Sequence, residues 1–307
     1  MATALAVSPQ ADPQAAPAKK RRSGGISREN ASAWWAILAW IIALIYFFPV
    51  LYMLLTSFKT EAAAVQLPPK LIFMPTLENY RAVFSINFGP FFRNSLIASL
   101  GSTLIVMILA IPAAYGLAFH PSPKWKNILF FFISTKFMPP AGIIVPLYIL
   151  YSKNGDPWLL NGFSLGLLGT MRGLMLLYVA MNMPIAIWML RSFFVEVPKD
   201  VIDASRVDGA NVFQQMTQIV VPMVGPGLAA TVFLAIIFAW NEFFFAFNLT
   251  NAGNSTVPIF MLRFVTSEGL FWAKLAASST MAVLPIVILG WIAQKQLVRG
   301  LSMGAVK

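Results

Sequence analysis

The sequence predicts an all-helical integral membrane protein of six spans, on three observations. First, the chain is 58% hydrophobic and only 11% charged, with a mean hydropathy of +0.73, whereas a soluble domain carries about 25% charged residues. Second, six apolar runs lie at approximately 34–56, 92–118, 128–151, 172–193, 226–249 and 276–297, each near the roughly 20 residues that a bilayer crossing needs. Third, a polar, acidic segment from Val197 to Ala210 is set between the fourth and fifth runs.

Residues 1–33 are rich in Ala, Pro, Gln and Ser and contain Lys19-Lys20-Arg21-Arg22. They are expected to form a disordered basic tail, leaving 34–307 as the six-helix domain. The net charge of +11 invites a nucleic-acid reading, but the basic residues sort as spans require. With the N-terminus inside, thirteen Lys and Arg fall on the inner side and eight on the outer. The positive-inside rule then puts both termini in the cytoplasm and gives nucleic acid no part. Without cysteine there is no disulfide or thiolate metal site, and a lone His120 supplies neither a metal cluster nor a catalytic imidazole pair.

Prolines punctuate the spans at Pro49, Pro112, Pro139-Pro140, Pro184 and Pro285. An interior proline removes a backbone hydrogen bond and kinks a helix. At membrane depth, freed backbone groups survive only inside protein or beside a water-filled cavity. Two ionisable residues, Lys136 and Glu242, fall within the third and fifth runs. Such groups face bundle interiors, either as a structural pair or as the lining of a solute path. Around Glu242, the run Trp240-Asn241-Glu242-Phe243 sets aromatic faces beside amide and carboxylate groups. That mixture suits a sugar, with its apolar C–H faces and polar edges, and equally suits helix packing.

The loop at about 194–225 is the most informative stretch. Pro198 fits the start of a helix, and Asp200 and Asp203 favour its positive end. Val201, Ala204, Ser205, Asp208 and Val212 read as one helical face, with Ala204 and Ser205 small enough for another protein to approach. Gly209 can take the left-handed conformation that ends a helix. Ile219 and Pro222 then lead to Gly225-Pro226-Gly227, a breaker before the fifth span.

The order Asp203-Ala204-Ser205, three residues, Gly209, nine residues, Ile219, one residue, Val221-Pro222 resembles the coupling-loop signature of importer-type ABC transporter permeases. That signature is Glu-Ala-Ala, three residues, Gly, nine residues, Ile, one residue, Leu-Pro. Here Asp replaces Glu, Ser replaces Ala and Val replaces Leu. The resemblance covers essentially all of 34–307. Thr56-Ser57-Phe58-Lys59 with Pro75-Thr76-Leu77-Glu78-Asn79-Tyr80, Trp240-Asn241-Glu242-Phe243 and the ending Gly300–Lys307 look like carbohydrate permeases of the MalG-like group. The stretch 48–80 looks closest to the sorbitol/mannitol-type subgroup.

This resemblance implies a type I ABC importer permease in the bacterial inner membrane. It implies a heterodimer with a second permease, two copies of a cytoplasmic ATPase and an extracytoplasmic solute-binding protein. The coupling helix, about Lys199–Phe213, would sit in an ATPase cleft through Asp203, Ala204, Ser205, Asp208, Gly209, Ile219 and Pro222. Gly300, Gly304 and Lys307 would reach the ATPase pair, and the loop at about 251–275 would meet the binding protein. Lys136, Trp240, Asn241, Glu242 and Phe243 are the candidate lining of the path. The sequence contains no G-x-x-x-x-G-K-[ST] phosphate loop, so ATP and magnesium are expected on the partner and no cofactor on this chain. Two rivals remain. A proton-coupled secondary transporter would use Glu242, but no internal repeat supports it. An integral membrane enzyme would need a catalytic constellation, and none stands out.

Overall fold

The computed structural model describes residues 33–153, 164–266 and 269–303. The basic tail lies outside them, as do Gly304 and Lys307. Residues up to Pro49 and residues from Val50 onward form separate compact units, and α1 (Ala33–Ser57) runs through the division.

Helices α4 (Phe88–Phe119), α7 (Met171–Val195) and α14 (Trp272–Met303), with α1, are the elements long and apolar enough to cross a membrane singly. Two bent pairs complete six candidate spans. In the first, α5 (Trp125–Ser134) and a 3-10 turn at Thr135–Phe137 meet α6 (Pro140–Tyr151) at 95°. Pro139 and Pro140 cause this break: each lacks an N–H, and Pro140 opens the new helix, where none is needed. The third run is therefore two helices, not the single one its hydropathy implies.

The second pair joins Val212–Met223 to α11 (Gly225–Trp240) at 85°. The expected fifth span, 226–249, also ends early. Helix α11 stops at Trp240, and a short α12 (Phe244–Leu249) follows after a three-residue gap. Pro49, Pro112, Pro184 and Pro285 all lie inside long helices.

The core forms where α4, α7 and α11 meet. Small residues let α4 and α7 approach closely, as in membrane bundles generally: Ser95, Ala98, Ser99 and Ser102 are buried, and a Cβ on Gly101 would strike Met175. Gly227 plays the same part in α11, since a Cβ there would run into the Phe193 ring.

The end of the bundle away from the 194–225 loop is stitched by side chains onto backbone. The segments after α1 and before α3 (Glu78–Ser85), both of which carry the family resemblance, meet there. The Asn79 amide donates to the carbonyls of Ser57 (2.9 Å) and Lys59 (2.6 Å), and Ser57 Oγ pairs with Tyr80 Oη at 2.7 Å. Lys59 is buried with its ammonium against the rings of Tyr52 and Phe73, which supply cation–π attraction. Glu61, on α2 (Glu61–Ala64), accepts from the N–H groups of Ala273 and Lys274 and so caps the start of α14. The Asn94 amide donates to the Gly253 and Ser255 carbonyls, and Ser95 Oγ accepts from Val257 N–H at the start of α13 (Val257–Met261).

Candidate functional site: a polar loop and an interior helix break

Within the loop, α8 (Lys199–Val207) starts after Pro198. It closes with Gly209 at φ +82°: Ala210 N–H donates to Ser205 O and Gly209 N–H to Arg206 O. This pair of bonds is a Schellman closure, which satisfies the terminal carbonyls and favours glycine at the left-handed position. A second start comes at once. Asn211 and Gln214 form a reciprocal capping box, opening α9 (Val212–Gln214). A π-helical turn, Gln215–Val220, then leads to α10 (Val221–Met223).

Asp203, Ala204, Arg206, Val207, Asp208 and Gly209 are exposed. Ser205 is not: it is buried, donates to Ile202 O at 2.6 Å, and points with Ile202 into the protein. The expectation of a small outward Ser205 is thereby corrected. Val212 also leaves the predicted face, because the helix ends at Val207 and restarts in a new direction. The expected coupling helix of about Lys199–Phe213 is two short ones, divided at the Gly209 closure. Ile219 is half-buried in the π turn and Pro222 is exposed. Gly300 falls in the last turns of α14.

The loop is joined to the end of α4. Tyr115 Oη donates to Gln215 Oε1 at 2.9 Å, and Gln215 Nε2 donates to Ala210 O at 2.8 Å. At the surface, Arg206 pairs with Asp203 at 3.0 Å and touches His120 Nε2 at 3.3 Å. Sequence reasoning singles out neither Tyr115 nor Gln215. The available signal is a tyrosine near the end of the second apolar run and a glutamine within the loop before the fifth.

The residues expected to line a path divide into two groups. Glu242 is buried, with its oxygens accepting from the N–H groups of Phe245 (2.8 Å) and Ala246 (3.0 Å) and from Tyr178 Oη (3.3 Å). It caps α12, and Tyr178 is the partner that sequence reasoning misses. Trp240 is buried too; its indole N–H donates to Ala282 O and its ring meets Phe92 edge-on. These two residues thus help hold the α11–α12 break.

Lys136, Asn241 and Phe243 are exposed. Lys136 sits in the turn between α5 and α6, donates to Met181 O at 2.8 Å and lies 5.4 Å from the Phe238 ring centre. Phe238 is exposed near the end of α11, and Asn241 caps that helix, its amide donating to Ile237 O. Phe243 stacks on Phe247 at 5.4 Å. Among the described residues Lys136 has no carboxylate partner, so it makes no ion pair with Glu242. Trp240 and Asn241 also border a cavity of about 360 Å³ with Val257, Met261 and Ser279.

A bundle with bent third and fifth spans and a polar helix closed by glycine between the fourth and fifth defines a transport permease. The chain belongs to the family described as binding-protein-dependent transport system inner membrane component, whose model matches residues 107–302. It is therefore the membrane permease of a binding-protein-dependent ABC transporter. It is 34% identical over 286 residues to a probable ABC transporter permease, y4oR, of Sinorhizobium fredii, covering 93% of this chain and 99% of that one. It is 30% identical to the trehalose/maltose transport permease MalG of Thermococcus litoralis, covering 87% and 94%. Its fold matches a chain in the crystal structure of a bacterial ABC transporter that imports the acidic polysaccharide alginate. That match has a TM-score of 0.69 at 21% identity and covers 86% and 95% of the two chains.

Proposed function

We propose that this permease imports a carbohydrate across the bacterial inner membrane, with both termini in the cytoplasm, as one half of a heterodimer with a second permease. Two copies of an ATPase bind ATP and magnesium beneath it, and a binding protein delivers the solute outside. A polyol or monosaccharide is the favoured solute, in keeping with the subgroup likeness of residues 48–80. A glycoside or anionic sugar derivative is the next choice. The sugar class draws on the trehalose/maltose relative and on exposed aromatic and polar groups at the two helix breaks: the Lys136 ammonium beside the Phe238 ring at one, and the Asn241 amide and Phe243 ring at the other.

The observation that carries the coupling role is α8. It is a polar helix with an exposed Asp203–Ala204 edge, closed by a left-handed Gly209, at the foot of two bent spans. In this reading ATP closes the ATPase pair and the α8 helices move with it. The spans then open outward, because ATPase closure and solute affinity are linked free energies. The proton-carrying alternative loses its candidate, since Glu242 is engaged as a helix cap.

The test is ATP hydrolysis by the chain reconstituted with its partner permease, ATPase and binding protein, across a panel of polyols and sugars. Stimulation by one solute supports the reading and names the substrate; no hydrolysis by an assembled complex removes it. Gly209→Asp checks the loop directly. The variant is expected to lose ATPase binding, and an intact complex would remove the loop from coupling.

A further inference from the structure

We infer that Tyr115 and Gln215 are positioning residues that lock the coupling loop to the end of α4, so that α8 and that end of α4 move as one body. The inference rests on the coupling role proposed for the loop. Helix α8 has little packing of its own to transmit a push, because only Ile202 and Ser205 are buried along it. The segment just beyond α8 is better held. The Ala210 carbonyl, next to the Gly209 closure, accepts from Gln215 Nε2, and Gln215 Oε1 accepts from Tyr115 Oη. Tyr115 is 2% exposed and Gln215 3%. Away from water such bonds strengthen one another, and breaking one leaves a desolvated polar group behind.

The second link between loop and α4, through Arg206, His120 and Asp203, is exposed. Solvent screening makes it weak by comparison. The buried Tyr115–Gln215 bond, continued by the part-buried bond to Ala210, is thus the stronger polar link, and it lies beside the apolar cluster in which Ile202 and Val220 pack with Tyr115.

Its two ends are placed to convert a push into movement. Gln215 opens the π-helical turn that runs into α10 and the 85° bend before α11. Such turns recur at functional positions in helices. Tyr115 lies three residues beyond Pro112 inside α4, and a helix bends most readily where proline removes a hydrogen bond. A push arriving at Gln215 therefore reaches the broken fifth span directly. Through Tyr115 it reaches the part of α4 beyond Pro112.

The test measures whether the two parts travel together. The chain contains no cysteine, so Ser122→Cys, just past α4, and Val207→Cys, on α8, each accept one spin label; both positions are exposed. The label-to-label distance is measured in the complex with partner permease and ATPase, nucleotide-free and trapped with Mg-ATP and orthovanadate. In the chain with Tyr115 and Gln215 intact, the two distributions are expected to coincide. In Tyr115→Phe, and from the other side in Gln215→Leu, trapping is expected to move them apart by ~2 Å or more, the scale of helix shifts in such transitions. A shift with both residues intact, or coinciding distributions in both variants, overturns the inference. A merely structural bond would lower the melting temperature of the variants while leaving their distributions superimposed. The coupling reading itself stands or falls on Gly209→Asp and ATPase binding, so the two failures are separable.

Discussion

The two ends of the bundle are held in different ways. At the end away from the coupling loop, side chains reach across the sequence onto backbone: Asn79 to residues 57 and 59, Asn94 to 253 and 255, Glu61 to 273 and 274, and Asn254 to Gly169 O. Irregular segments there are fastened at both sides. At the loop end, α8 and its closure expose Asp203, Ala204 and the run from Arg206 to Gly209. This end is held by the apolar packing of Val197, Ile202, Val220 and Val224 and by the Tyr115–Gln215 chain. One end is built to keep its shape, and the other, under the proposed coupling role, is the one to be gripped and moved. Changes at the fastened end and in the core should therefore cost stability, whereas changes on α8 should cost partner binding.

The largest effect is expected where the core has no slack. Gly227→Val places side-chain atoms inside the Phe193 ring, against the stem of that side chain. Overpacking of this kind costs about 3 kcal/mol or more, and the variant should fail to accumulate as folded protein in detergent. Normal yield and melting temperature would show that α7 and α11 can separate freely.

Glu242→Ala comes next. It strips the cap from α12, leaves the Phe245 and Ala246 N–H groups without their acceptor and leaves the Tyr178 hydroxyl only the residue 242 carbonyl at 3.5 Å. Loss of a buried cap of this kind costs about 2 kcal/mol. The melting temperature should fall, and uptake should fall only in proportion to folded protein. Glu242→Gln, which keeps one acceptor oxygen, should lie between. If Glu242→Ala melted normally yet abolished uptake, Glu242 would belong to the path after all.

Asn94→Ala sharpens the contrast at the fastened end. It removes two donated bonds that hold 253–255 against α4, at about 1 kcal/mol each. Cleavage by added protease should then appear within 250–257 while the spans stay intact. Protection equal to that of the unaltered chain would mean that Ser95 and Asn254 fasten this segment alone.

Much of this plan is legible in the sequence, and for identifiable reasons. Span count follows from hydropathy because a bilayer fixes the length of an apolar helix. The break at Pro139-Pro140 and the closure at Gly209 follow from backbone chemistry that only proline and glycine carry. Ser205 is misplaced for a different reason. Helical periodicity gives a face but not which face is inward, and here Ile202 sets the inward side. Glu242 reads as path lining because sequence shows a charge at depth but not its acceptor role toward Phe245 and Ala246. Tyr115 and Gln215 lie 100 positions apart, and no local pattern links residues at that separation.

The smallest structural effect, and the sharpest test of the comparison, is Asp203→Ala. Asp203 pairs with Arg206 one turn away, with both side chains largely in solvent. Exposed pairs of this kind contribute roughly 0–1 kcal/mol, so melting temperature and protease resistance should not change measurably. The helix start offers no compensating demand, because Asp200 already supplies a carboxylate in the first turn. If α8 is the surface gripped by the ATPase, the same variant should weaken that association severalfold. The loss should be larger at low salt than at high, since screening already weakens a charge contact at high salt. A fold left intact beside a weakened complex would place the role of Asp203 outside the chain. A loss of stability equal to that of Asn94→Ala would instead mean that the loop end is fastened as firmly as the other, and the division between the two would fail.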